Sequence, residues 1–335
     1  MYQITKIFLF PISLIFGFIT SLRNFLYDFE IIKSKKYRTK IISVGNLIMG
    51  GSGKTPMVEY ISKYFIRKNK NFSIISRGYG RKTKGLFVIG SKDNYTTVGD
   101  EPIQFFNKFS KYCKVIVTEN RNLGLLLNDK NEIDYAILDD AFQNRSFESN
   151  YRILLSSSQK PFYSDHIFPL GKLRESKSNA IRADILIFTK CPENLTKQQS
   201  NDFVYKSRKF LGRNVPILFS CIDYKKPIKI FGNKLSKNVV AISSIAYPND
   251  FFEYVEKKFK LIDRIQYPDH YIYKKIDLEN LIKKLDQNIS ILTTEKDAVK
   301  LCEYEDILSS YDVYYVPIKT KFLFKKELSP YLNKI

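Results

Sequence analysis

Histidine is scarce in this chain of 335 residues: only His166 and His270 occur, which excludes a histidine-rich metal site. The four cysteines, Cys113, Cys191, Cys221 and Cys302, are widely spaced and form no C-x-x-C pair. That spacing gives neither a zinc site nor a disulfide framework, and it fits a reducing compartment. No internal repeat and no low-complexity linker interrupts the chain. Acidic residues are also in the minority, with 34 Asp and Glu against 55 Lys and Arg and a formal charge of +21. Such a surplus points to an anionic partner such as nucleic acid, an anionic membrane face or a phosphorylated substrate, although abundant Lys, Asn, Ile, Tyr and Phe show that compositional drift contributes. The length accommodates two domains, and a hydrophobic content of 44% supports real cores.

A further absence lies at residue 48. The strict phosphate-loop pattern requires glycine five residues before Gly53, and this chain has Ile48 there. The surrounding context is nevertheless that of a phosphate cradle. Ile41 to Val44 read as a short buried strand, followed by Gly45, Gly50, Gly51, Ser52, Gly53, Lys54 and Thr55. Pro56 falls in a helix's first turn, where proline is tolerated, and apolar residues 57, 58, 61, 64 and 65 keep helical spacing. Glycines let backbone N–H groups close on phosphate oxygens, and a helix N-terminus favours negative charge. Lys54 is expected to reach the β/γ-phosphates of ATP and the Thr55 hydroxyl to hold Mg²⁺.

Residues 7–22 carry no charge and are flanked by Lys6 and Arg23. Sixteen residues are short for a span, which needs about 20. No small-x-small cleavage site is present, so an interfacial or shallowly inserted anchor is expected, with the basic run 33–40 lying on an anionic leaflet. A buried N-terminal helix with a solvated basic loop is the alternative.

Beyond the loop, hydrophobic strands alternate with helical segments, which predicts an α/β fold with a largely parallel sheet. The second strand, 72–76, runs into Arg77-Gly-Tyr79-Gly-Arg81, where two arginines among glycines suit phosphate contact at a strand end. Asp100 and Glu101 lie on a turn before a helical stretch, 103–109; on spacing alone they read best as simple N-terminal helix charges. Arg121 sits at a helix start after the strand 115–118. The strand from Ile133 ends in Asp139-Asp140, the pattern of a carboxylate placed beside a phosphate loop for Mg²⁺ or its waters. Pro169 to Glu175, with Arg174, is a loop leading to a helix over 176–182. Thr189-Lys-Cys-Pro192 has proline where a guanine-binding motif needs aspartate, which argues against a GTPase. The expected divisions are an anchor helix, 1–30, a P-loop domain, 31–225, and a smaller C-terminal α/β domain, 226–335. His270 taken alone reads as a turn histidine packed on Tyr267 and Tyr271.

Seven motifs occur in order: 44–56, Ser-Arg-Gly-Tyr-Gly-Arg (76–81), Gly-Asp-Glu-Pro (99–102), Leu-Asp-Asp-Ala-Phe-Gln (138–143), Pro-Leu-Gly-Lys-Leu-Arg-Glu (169–175), Pro-Asp-His (268–270) and Thr-Glu-Lys-Asp-Ala-Val-Lys (294–300). In these the chain resembles the tetraacyldisaccharide 4′-kinases, the lipid A 4′-kinases of Gram-negative bacteria, from its apolar N-terminus to about residue 300. The resemblance accounts for Ile48, since that family's loop is Gly-Gly-x-Gly-Lys-Thr-Pro. It implies a P-loop-containing, Rossmann-like parallel sheet domain, ATP and Mg²⁺ as cofactors, and a lipid disaccharide 1-phosphate as substrate at the cytoplasmic face of the inner membrane. It implies no nucleic acid and no obligate protein partner. By the resemblance, Asp100 takes the proton of the sugar hydroxyl, His270 pairs with it, Asp139 and Asp140 are metal-side acids, and Arg121 is an active-site arginine. Arg77, Tyr79, Arg81, Glu101 and Arg174 are candidates for substrate or phosphate contact. With His270 in the C-terminal domain, the dyad is expected to form across a domain cleft that closes on substrate. Asn144 departs from the family, which often carries histidine there.

Overall fold

The computed structural model describes residues 2–283, 285, 286 and 288–335. In chain order the first elements are α1 (Tyr2–Asp28), β1 (Lys40–Asn46), α2 (Lys54–Arg67), β2 (Phe72–Ser76), β3 (Phe87–Val88), α3 (Tyr95–Val98), α4 (Asp100–Phe109), β4 (Lys114–Val117), α5 (Arg121–Lys130), β5 (Tyr135–Asp139) and β6 (Tyr151–Ser157). Then come β7 (Ile185–Thr189), α6 (Lys197–Arg208), β8 (Ile217–Tyr224), β9 (Ile228–Phe231), β10 (Asn238–Ser243), α7 (Asn249–Lys258) and β11 (Lys260–Gln266). The last are α8 (Lys275–Ile282), β12 (Ile289–Thr294), α9 (Glu295–Leu301), α10 (Glu305–Leu308), β13 (Val313–Val316), β14 (Ile318–Phe322) and α11 (Ser329–Leu332).

The chain divides into two compact units, and neither is one continuous stretch. The first comprises Met1–Arg77, Tyr112–Ile222 and Thr320–Ile335; the second comprises Gly78–Lys111 and Asp223–Lys319. This differs from a single cut at 225/226. Residues 78–111 leave the first unit after β2, and α4 packs on α9 of the C-terminal region. The last residues return to the first unit, where Leu323 donates its N–H to the Phe219 carbonyl at 2.9 Å.

In the first unit, seven parallel strands run in the order β8-β7-β6-β1-β5-β2-β4, with β14 beside β8 at the outer edge. Ile41, Ile42 and Val44 of β1 are buried on both faces, which explains why this strand reads as a near-continuous apolar run. Ile41 packs with Ile75, Ile116, Leu125 and Leu138. Farther along the sheet, Leu47, Phe142, Leu154, Leu173, Leu186 and Phe188 build a separate cluster. Because β1 lies between β5 and β6, the loop after β1 opens at the carboxyl edge, where open α/β sheets bind ligands. The segment expected as a helix over 176–182 is a 3₁₀ turn, Lys177–Arg182, opened by the Ser176 hydroxyl accepting from the Ser178 N–H.

Helix α1 runs beyond the uncharged residues 7–22, and its stretch Phe8–Asp28 is long and apolar enough to cross a membrane. One face docks on the loop 165–175 of the same unit. The Ser13 hydroxyl donates to the Ile167 carbonyl at 2.8 Å, and Asn24 Nδ2 donates to Glu175 Oε2 at 2.9 Å. A Cβ on Gly17 would lie 3.1 Å from Ile167, so glycine lets the helix approach closely here. The rest of its surface exposes Phe8, Ile12, Ile15, Phe18, Ile19 and Leu22.

In the second unit the sheet order is β11-β10-β12-β13-β9, parallel except for β9. Val240, Ile242 and Ile291 face Tyr273, Leu278 and Leu301, while Val239, Ala241 and Leu292 face Phe251, Phe252 and Val255. Strand alternation thus splits one parallel strand between two helical layers. Asp100 and Glu101 form the first turn of α4 itself, rather than a turn ahead of it. Both acids therefore favour the helix end they occupy.

Candidate active site

The phosphate loop of the first unit is braced at several points. Gln143 Nε2 donates to the Asn46 carbonyl at 2.5 Å, and the Thr189 hydroxyl donates to the Ser52 carbonyl at 2.8 Å. The Met49 N–H reaches the Lys172 carbonyl, and the Arg174 N–H reaches the Leu47 carbonyl, both at 2.8 Å. Gly50 and Gly53 adopt φ of 105° and 77°, the left-handed region that favours glycine. Gly45 serves a different need: a Cβ there would meet Phe142 at 2.7 Å. Lys54 is the first residue of α2.

Asp139 and Asp140 leave β5 in different directions. Asp139 is buried, and its Oδ2 accepts from the Ser76 hydroxyl at 3.1 Å. Asp140 turns into a left-handed conformation, φ 50°, and its Oδ1 lies 2.8 Å from Arg174 Nη1 and 3.7 Å from Lys54 Nζ. Burial alone would raise the Asp140 pKa; Lys54, then Arg174 and Arg121, outweigh it and hold the pKa below the ordinary value. Arg121 is buried, with Nη1 on the Thr118 carbonyl and Nη2 on the Asp139 carbonyl, both at 3.0 Å. It thereby fixes the end of β5 that carries the two acids. Thr55 lies in the first turn of α2, and Arg77 is exposed at the end of β2. Asn144 does local work: its Oδ1 accepts from the Ser146 N–H at 3.0 Å and hydroxyl at 2.8 Å, an Asx turn.

The second unit gathers another set. His270 Nδ1 lies 2.9 Å from Asp100 Oδ2 and 3.2 Å from Oδ1. Both residues belong to this unit, so the pair does not wait on a cleft between separate domains as the sequence order implied. Gly78 and Gly99, at φ 68° and 98°, allow two backbones to touch: a Cβ on Gly99 would lie 3.1 Å from the Tyr79 carbonyl oxygen. That approach sets the exposed Tyr79 ring 4.7 Å from the imidazole of His270. Arg81 instead turns to its own loop, donating to the Gly85 carbonyl at 2.6 Å and covering Phe87. Burial would raise the Asp100 pKa, but the His270 hydrogen bond, then the charges of Lys296 and Lys300, overcome it and hold the carboxyl far below the usual range. Glu101 lies 3.4 Å from Lys296.

The sequence model of the tetraacyldisaccharide-1-P 4′-kinase family matches residues 5–335. The chain belongs to that family. It is 37% identical over 323 residues to a tetraacyldisaccharide 4′-kinase of Flavobacterium psychrophilum, covering 94% of this chain and 92% of that protein. It is 31% identical over 334 residues to one of Bacteroides fragilis, with coverage of 94% and 88%. Among solved structures, the "apo" form of LpxK from Aquifex aeolicus in complex with ATP superposes with a TM-score of 0.77 at 28% identity, covering 98% of this chain and 99% of that one. The chain is thus an enzyme of the tetraacyldisaccharide-1-P 4′-kinase family with that family's α/β architecture.

In this family member, sequence reasoning overlooked the residues that support the phosphate loop and Asp100. Gln143 and Asn46 brace the phosphate loop, and Lys296 and Lys300 attend Asp100. Both lysines lie in the Thr-Glu-Lys-Asp-Ala-Val-Lys motif, whose i, i+4 spacing sets them on one face of α9.

Proposed function

We propose that this kinase transfers the γ-phosphoryl group of ATP to the 4′-hydroxyl of tetraacyldisaccharide 1-phosphate, giving lipid IVA in lipid A biosynthesis at the cytoplasmic face of the inner membrane. The observation that carries this reading is the pairing of Asp100 with His270 at 2.9 Å in a chain that also holds Lys54, Asp140 and Arg174 around a phosphate loop. Gly50 to Thr55 cradle the nucleotide phosphates, and Lys54 and Arg121 supply countercharge. The hydroxyl oxygen forms a bond to the γ-phosphorus as the bond to ADP breaks, and the hydroxyl proton passes to Asp100. Phosphoryl transfer is loose, with little bonding to the incoming oxygen, so the carboxylate chiefly orients the hydroxyl and takes its proton late. A strongly ionised acceptor suits that task.

Magnesium fits the donor set. Mg²⁺ favours hard oxygen ligands and is held by one or two carboxylates together with substrate phosphates. The Thr55 hydroxyl and the Asp139 and Asp140 carboxylates offer such oxygens next to the loop. Held by these oxygens, Mg²⁺ would supply positive charge to offset the charge of the transferring group.

Radiolabel from γ-³²P-ATP should appear on tetraacyldisaccharide 1-phosphate in mixed micelles and not on an acceptor lacking the 4′-hydroxyl. ATP hydrolysis without lipid label would overturn this reading and leave a phosphate-loop ATPase.

Membrane seating rests on the exposed apolar surface of α1. The double substitution Ile15→Glu and Phe18→Glu removes two side chains exposed by 61% and 67%. Burial of one such side chain is worth about 1.5–3 kcal/mol, so co-sedimentation with anionic phospholipid vesicles should weaken by about 100-fold or more. Binding of ATP should be unchanged. Equal sedimentation of both proteins would show that another surface makes the membrane contact.

A further inference from the structure

Lys296 and Lys300 stand on the same face of α9, and each reaches the Asp100 carboxylate: Nζ of Lys296 is 3.8 Å and Nζ of Lys300 is 3.5 Å from Oδ2. Their own tethers differ. Lys300 is almost wholly buried and donates to the Ser244 hydroxyl at 2.8 Å and to Asp297 Oδ1 at 3.4 Å. Asp297 is itself anchored, accepting from the Ser244 N–H at 2.9 Å and the Thr294 hydroxyl at 2.7 Å. Lys300 is therefore a fixed part of the core between β10 and α9. Lys296 lies nearer the surface and gathers three carboxylates: Asp100, Glu101 at 3.4 Å and Asp269 at 3.8 Å. It also lies 3.1 Å from Nε2 of His270.

An ammonium group has donors only, so a hydrogen bond from Lys296 requires a lone pair on Nε2. The ring proton of neutral His270 is then on Nδ1, where it is donated to Asp100 at 2.9 Å. One ring thus has both edges engaged, Lys296 on one and Asp100 on the other. The His270 backbone sits at φ 58°, with its N–H on the Ser244 carbonyl at 3.1 Å. Ser244 thereby serves both the histidine and the lysine that flank Asp100.

We propose that Lys296 is a positioning residue of the transfer reaction: it locks His270 as the Nδ1–H tautomer and keeps Asp100 ionised among its acidic neighbours, with Lys300 as the fixed second countercharge. The proposal rests on Asp100 being the hydroxyl's proton acceptor. Its physical basis is the balance of charge. Asp100, Glu101 and Asp269 converge, and like charges drive a carboxyl towards protonation unless cations intervene. Lys300 is shared with Asp297, whereas Lys296 lies within 3.8 Å of all three acids. Burial would lower the Lys296 pKa, but Glu101, then Asp100, Asp269 and Asp297, raise it above the ordinary value, so it stays charged throughout the working range. Without it, Asp100 protonates at higher pH, and the sign is definite: activity is lost from the acidic side.

Two readouts separate this role from a merely structural one. In Lys296→Met, kcat/KM should be lower than the wild type throughout, and the deficit should deepen by about tenfold or more from pH 8 to the acidic end, a further tenfold loss matching one unit of pKa. Lys296→Arg, which keeps the charge, should restore the acidic limb, and KM for ATP should be the same in all three proteins. Nitrogen-15 spectra of the ring provide the second readout, simplified because His166 is the one other histidine and His166→Gln assigns it. Wild-type His270 should carry its proton on Nδ1, and Lys296→Met should move both ring-nitrogen resonances, as the proton spreads to Nε2. A proton on Nε2 in the wild type, or superimposable pH profiles for wild type and Lys296→Met, would overturn the proposal. If Lys296→Met fails to fold, the wild-type tautomer and the Lys296→Arg profile decide it. Retention of transfer by Asp100→Ala would instead remove the acceptor role of Asp100, while the tautomer measurement would stand on its own.

Discussion

Lys54→Met should fold and bind lipid vesicles as the wild type does, yet lose phosphoryl transfer by about 10³-fold, the scale of removing one preorganised countercharge from a developing anion. Lys54 is the first residue of α2, and its amine lies 3.7 Å from Asp140. Methionine keeps the length and apolar stem, so packing against the loop is retained. Asp140 retains Arg174 at 2.8 Å and is not stranded. Its pKa should nevertheless rise, because Lys54 is the first of the charges that lower it. The check is label transfer from ATP together with a thermal melt; an unchanged melt with lost transfer separates chemistry from folding. Transfer within threefold of wild type would show that the nucleotide phosphates are held without Lys54.

Asp100→Asn should be nearly as severe, with kcat lower by about 10²–10⁴-fold, the usual contribution of a positioned acid or base. The amide fits the same space and can still accept from His270 through its carbonyl oxygen. It cannot take the hydroxyl proton, and its NH₂ faces Lys300 and Lys296 with donors against donors. Nucleotide affinity should be unaltered, since Gly50 to Thr55 are untouched. Stability should also drop, by about 3 kcal/mol, because breaking a buried ion pair strands the remaining charge. The linked pH dependence has a fixed sign. The Asp100 pKa is depressed on folding, so its contribution is complete above the unfolded value of about 3.9 and fades as pH falls through the folded one. The wild type should therefore converge on the variant's melting temperature in strong acid.

How far these features can be read from residues alone depends on how local they are. The loop 45–55 and the acid pair at 139–140 each follow one hydrophobic strand, and strand, turn and helix periodicities there are contiguous. Backbone chemistry also explains the glycines that sequence inspection singled out. The partnership of Asp100 with His270 is another matter: 170 residues separate them, and nothing in either neighbourhood specifies that they meet. It was legible only through family resemblance. The assignment of 78–111 to the unit built by the C-terminal half was hidden for the same reason, because a chain that leaves a fold and returns shows no change in composition. Lys296 and Lys300 were visible as part of a motif, but an i, i+4 lysine pair on a short helix ordinarily means a solvated face. Only the convergence of Asp100, Glu101 and Asp269 on α9 gives the pair its charge-balancing task. Similarly, Lys6 and Arg23 made residues 7–22 look too short to span a bilayer, whereas α1 continues through Arg23 to Asp28.

The return of the chain at Thr320 carries a cost in time. During synthesis, β8 is complete at Tyr224, but β14, which lies beside it at the sheet edge, is not begun until Ile318. At about 5–20 residues per second, the intervening stretch of nearly a hundred residues leaves that edge uncovered for on the order of 5–20 s. An open strand edge is a template for wrong pairing. The nascent enzyme therefore passes through a window in which its phosphate-binding half is assembled but unsealed, and a ribosome that stalls or terminates before residue 318 would release the chain in that state.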